Sequence, residues 1–105
     1  MRLYDRYRFG DLVEISLLDG RQYRSREACY GPGKAGGHFE TDKSCPERLD
    51  ERRSMIGEAQ ERWLFEGLAR SDAAWNVLAQ QVMVMRRDVA AADPSQFSMD
   101  KWDAY

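Results

Sequence analysis

The chain has a single histidine, His38, and only two cysteines, Cys29 and Cys45. Neither cysteine has a close Cys or His neighbour at ligand spacing, which excludes a zinc motif. His38 with the two thiols makes three scattered residues in one stretch, a weak metal set. Positive charge is not in excess either: 16 Lys and Arg stand against 18 Asp and Glu, a net of -2. That argues against a general nucleic-acid or membrane-surface binder, so no nucleic-acid partner is expected. No apolar run approaches the length of a membrane span. Met1-Arg2-Leu3-Tyr4 leads straight into patterned sequence, so no signal peptide is read here. What is present is a hydrophobic content of 43% in 105 residues, enough for one small domain with one core.

Residues 3–9, LYDRYRF, alternate as a strand. Gly10-Asp11 follows as a tight turn, and LVEISLLD at 12–19 is a second, more apolar strand. Residues 25–50 are rich in glycine and show no periodicity, which predicts a long irregular loop, a feature that is usually functional or disordered. Cys29 and Cys45 both lie in it. They read either as two thiols or as a disulfide closing the loop, worth about 3 kcal/mol on the chain-entropy account and favoured in an oxidising compartment.

The spacing of Ile56, Ala59, Trp63, Leu64 and Leu68 predicts a helix over 57–70. Ser54 or Gly57 would begin it, with Glu58 and Glu61 in its first turn and Arg70 at its end. Trp63, Leu64 and Leu68 are its core face. WNVLAQQV at 75–82 is then a third strand, apolar enough for burial. Strand, loop, helix, strand is a βαβ crossover, so 12–19 and 75–82 should be parallel neighbours in one sheet. The fold class is α/β: hairpin, long loop, helix, parallel strand.

Both interior strands end in polar residues, Asp19 with Arg21 on one and Gln80 with Gln81 on the other. In open α/β sheets the ligand site lies beyond such ends. Asp19 reads either as a turn cap or as a carboxylate orienting a neighbouring site residue. Arg21 and Arg24 could grip a phosphate in bidentate fashion or simply be solvated. Near the C-terminus, Asp100 and Asp103 stand among Phe97, Trp102 and Tyr105. They suit a calcium-lined pocket, or the first turn of a helix capped by Ser98.

LLDGRQYR, SMIGEAQERWL, WNVLAQQVM and FSMDKWDAY together resemble, in order and spacing, the alkaline phosphatase D-like enzymes of the calcineurin-like metallophosphoesterases. The resemblance runs from about Leu3 to Tyr105. Gly20 stands where that family usually has Thr, and Ala104 where it usually has Gly; neither change removes an ionisable group. Family members are several times longer, and their metal ligands lie mostly in motifs absent here. The resemblance therefore implies a central segment, 1–105, of one metallophosphoesterase domain, a partial sheet from a larger α/β sandwich.

For the parent enzyme the resemblance implies a phosphate ester substrate, iron and calcium as metals, and export to the periplasm or beyond. The remainder of the same polypeptide is then the partner of this segment. In many calcineurin-like enzymes a metal-binding histidine follows the strand's tryptophan, and counting from Trp75 places Gln81 there. An amide oxygen can serve calcium or a phosphate, or merely satisfy backbone. Gln81, Asp100 and Asp103 are the candidate metal contacts. Without a histidine at the strand ends, the chain alone is expected to hold neither metal tightly and to be inactive. The alternative is a free-standing small binding or interaction module.

Overall fold

The computed structural model describes residues 1–34, 37–85, 96–100, 102 and 105. The chain divides into two compact units, Met1–Arg24 with Ile56–Gln81, and Ser25–Met55 with Val82–Tyr105.

The first unit is a three-stranded mixed sheet with one helix. Strand β1 (Asp5–Phe9) and strand β2 (Val13–Leu17) form the expected antiparallel hairpin, with Asp5 opposite Leu17 and Phe9 opposite Val13. Gly10 takes the positive φ its turn needs. Two short strands follow in the second unit, β3 (Phe39–Glu40) and β5 (Phe97–Ser98). Between them in sequence lies β4 (Trp75–Ala79), which pairs parallel to β2 from Val13↔Trp75 to Leu17↔Ala79. The crossover expected from the sequence is present, and the sheet order is β1-β2-β4.

Helix α1 (Glu58–Arg70) starts after Gly57, whose φ of 77° suits glycine; a Cβ there would stand 2.7 Å from the carbonyl oxygen of Tyr23. The helix lies over the sheet face that carries Arg6, Glu14 and Ser16. The Arg6 side chain donates to Ser16 Oγ at 3.2 Å, pairs with Glu14 Oε1 at 3.2 Å and covers the Trp63 ring at 4.4 Å. Tyr4 packs against Trp63 with ring centroids 4.8 Å apart. Leu64 is buried as expected, whereas Trp63 and Leu68 are only half-buried.

Two sequence expectations for the strands need correction. The strands are shorter than 12–19 and 75–82, because side-chain amides replace the backbone ladder beyond Leu18 and Ala79. Nor is β4 buried: Trp75 is 68% exposed, and Val77 and Leu78 are open too. Among the described residues β4 pairs on one side only, with β2, and α1 covers the opposite face from Trp75 and Val77. The register therefore gathers Tyr7, Ile15 and Val77 with Phe9, Val13 and Trp75 on one uncovered apolar face.

The second unit contains the stretch read as an irregular loop. Its regular structure is slight, a two-residue antiparallel pairing of β3 with β5 and a 3₁₀ turn at Pro46–Leu49. It nevertheless has a core of its own, Ala28, Cys45, Phe97 and Met99, with Cys29 and Tyr105 packed against it. Two arginines roof this core: Arg48 stacks over Phe97 and pairs with Asp42 at 2.8 Å, and Arg53 covers Tyr105. Ser98 is the last residue of β5, and the first turn expected after it falls partly outside the described residues.

Cys29 and Cys45 form a disulfide. Proteolysis of unreduced, alkylated protein should therefore release one cross-linked pair of peptides containing these residues. Recovery of both as alkylated single peptides from oxidised material would contradict the pairing.

Candidate functional site

The polar residues that follow β2 converge on a single short turn. Asp19 is almost fully buried, and its Oδ1 accepts from the backbone N–H of Arg21 at 2.8 Å and of Gln22 at 3.0 Å. This is an Asx-type turn, in which the side chain takes over pairing that backbone would otherwise supply.

Two glutamines clamp the same turn from outside the strand. Gln81 Oε1 accepts from the N–H of Gly20 at 3.0 Å, and its Nε2 donates to the carbonyl of Leu18 at 2.8 Å. Gln60, 1% exposed, reaches down from α1. Its Oε1 accepts from the N–H of Asp19 at 2.8 Å, and its Nε2 donates to the carbonyls of Asp19 at 3.0 Å and Ile56 at 2.8 Å. Each primary amide has a donor and an acceptor end, so it can satisfy an N–H and a C=O of the same strand exit. Gln81 thus continues the β2–β4 ladder after the backbone of β4 has turned away.

Sequence reasoning singled out Asp19 and Gln81 but missed Gln60. A signal for it exists. Gln60 lies four residues after Ile56 and four before Leu64, so it shares their face of the helix. A polar side chain at a core position needs buried partners.

The other sequence candidates are less convergent. Arg21 is exposed, while Arg24 and Gln80 are half-buried. Asp100 belongs to the second unit, half-buried on the turn after β5, and Asp103 lies outside the described residues. His38 does not join the cysteines, which are bonded to each other; its ring lies between Glu27 and Glu40.

The fit to an iron and calcium centre can be tested on these donors. Asp19 Oδ1 and Gln81 Oε1 both already accept backbone N–H groups of the β2 exit. Among the described residues no three His, Cys, Asp or Glu side chains gather as a metal set. Iron requires several nitrogen, oxygen or sulfur donors in fixed geometry. The described residues do not fit that group. What the arrangement does provide is a hydrogen-bonded strand exit that buries Gly20 and leaves Arg21 exposed.

The whole chain, residues 1–105, matches a family model described as PhoD-like phosphatase. It is 36% identical over 105 residues to alkaline phosphatase D of Bacillus subtilis (strain 168), a match covering 100% of this chain and 17% of that protein. A solved structure described as the structure of PhoD superposes with a TM-score of 0.78 at 37% identity, covering 100% of this chain and 19% of that one. The chain thus spans less than a fifth of the length of the relatives it matches.

Proposed function

Because the chain belongs to the PhoD-like phosphatase family, we propose that it is an internal segment of a phosphoric ester hydrolase, with the catalytic metals held by residues outside it. Metal-activated water attack on a phosphate ester is the reaction this reading assigns to the longer protein. The part of residues 1–105 is to build one layer of the domain and to hold the β2 exit at its ligand-facing end. Export of the longer protein fits the disulfide, since such bonds persist in oxidising compartments.

The observation that carries this reading is the uncovered sheet face. Tyr7, Phe9, Leu17, Trp75 and Val77 are all exposed on it, while the helix-covered face carries the polar Arg6, Glu14 and Ser16. Sheets normally turn the apolar face inward. The segment therefore reads as one sheet of a two-layered α/β sandwich whose second layer comes from the rest of the same polypeptide.

The test is an assay of the isolated 105-residue chain beside the longer protein. A chromogenic phosphate monoester and a diester are offered, with iron and calcium supplied. The longer protein is expected to turn over at least one of them, and the isolated chain neither. Metal-dependent turnover by the isolated chain would overturn the segment reading. Inactivity of both on every ester would instead favour a binding module.

A further inference from the structure

The two units depend on different kinds of bond. The helix-and-sheet unit contains no cysteine. A helix of 13 residues, a three-stranded ladder and the buried amide of Gln60 hold it. The second unit has much less. Among its described residues the only ladder is the two-residue pairing of β3 with β5, and the core cluster is Ala28, Cys45, Phe97 and Met99. One of those four, Cys45, is itself half of the disulfide and is 0% exposed. Apolar burial on this scale does not offset the entropy of ordering the chain around it. In small units short of core, a covalent bond commonly makes up the difference.

The place of the bond matters as much as its presence. Cys29 and Cys45 are 16 positions apart, and the loop they close carries β3. With the loop closed, Phe39–Glu40 is tethered on both sides, and pairing it with Phe97–Ser98 orders little further chain. With the loop open, two residue pairs must supply that ordering alone. Cys29 also has a φ of 54°, the one positive φ outside glycine among the described residues. Side chains adopt that backbone region at a cost, and only where the surroundings hold them in it.

Noncovalent ties join the same segments. Glu47 Oε2 accepts from the N–H of Cys29 at 3.0 Å, and Arg53 donates to the carbonyl of Arg26 at 2.9 Å. Both bonds lie at exposed positions, where water competes for each partner.

We propose that the Cys29–Cys45 bond makes the fold of the second unit redox-dependent. The unit is folded while the bond is intact and unfolds when a dithiol reduces it, whereas the helix-and-sheet unit keeps its fold in both states. Reduction breaks the S–S bond and forms the disulfide of the reductant. Two electrons and two protons pass from the dithiol to the cysteine sulfurs, which become thiols. For a loop of this length the chain-entropy account gives a shift of about a hundredfold in the unit's folding equilibrium. The second unit is then complete only where thiols are kept oxidised.

Amide hydrogen exchange of the 105-residue chain, read on peptic peptides, reports the two units separately. The chain is compared oxidised and after treatment with dithiothreitol, a dithiol. Peptides from 37–50 and 96–100 are expected to exchange about a hundredfold faster after reduction, while those from 5–17, 58–70 and 75–79 stay as they were. Cys29→Ala removes the bond and leaves Cys45 in the core. That variant should show the same loss without reductant and no further change with it. Protection of the second unit that survives reduction, or survives in C29A, would overturn the proposal. So would loss of protection in both units together, or a second unit already unprotected in the oxidised chain.

Discussion

Replacing Gln60 with Leu should lower the stability of the helix-and-sheet unit by about 4 kcal/mol, although Leu has much the same volume and more apolar surface. Gln60 is 1% exposed, and its amide is the partner of the Asp19 N–H, the Asp19 carbonyl and the Ile56 carbonyl. Leucine removes all three interactions without opening a cavity. The Asp19 N–H and carbonyl, buried and left unpaired, cost about 1–3 kcal/mol each. The expected sum is reduced only by whatever water can enter. Gln60→Glu should also destabilise, since it keeps an acceptor for the Asp19 N–H but loses both donors and buries charge. Urea unfolding monitored by tryptophan fluorescence measures both variants. A loss below about 1 kcal/mol for Gln60→Leu would mean that the clamp contributes little.

The clamp also answers a question posed by the run WNVLAQQV. Its apolar residues announce a strand, and the period-two pattern of LYDRYRF and LVEISLL announces the hairpin beside it. Those signals are local, so hairpin, helix and parallel crossover were legible from the sequence. The ends of the strands were not, because the pairing there passes from backbone to the side chains of Gln60 and Gln81. Gln60 reaches Asp19 across 41 positions in sequence and Gln81 reaches Gly20 across 61, and no local pattern records such contacts.

Burial was misread for a related reason. Apolarity on both faces of β4 reads as burial, yet Trp75, Val77 and Leu78 lie open in the structure. In the second unit, the core of Ala28, Cys45, Phe97 and Met99 joins residues with no shared periodicity. The sequence there showed only glycine-rich irregularity. The disulfide was one of two open readings, and the placing of His38 between two glutamates had no sequence signal.

Gly67→Ala should destabilise the same unit by about 3 kcal/mol, reversing the effect expected of this change in a helix. In an exposed helix interior alanine is better than glycine by about 1 kcal/mol. Gly67, however, is buried on the face of α1 that meets Arg6, and a Cβ there would come within 1.8 Å of the guanidinium nitrogens. The end of an arginine normally swings away from such a clash at little cost. This one is held by Ser16 Oγ, by Glu14, by the Trp63 carbonyl at 3.3 Å and by the Trp63 ring. Driving it out strands Glu14, a buried carboxylate. Breaking a buried pair by removing one partner costs about 3–5 kcal/mol, of which the helix-propensity gain offsets a part. The decisive comparison is a second background carrying Arg6→Ala and Glu14→Gln. There the clash and the stranded charge are both gone, so Gly67→Ala should become stabilising, by up to about 1 kcal/mol. Denaturant unfolding of the four proteins reads the change of sign directly. If Gly67→Ala has the same effect in both backgrounds, the glycine is not there to make room for Arg6.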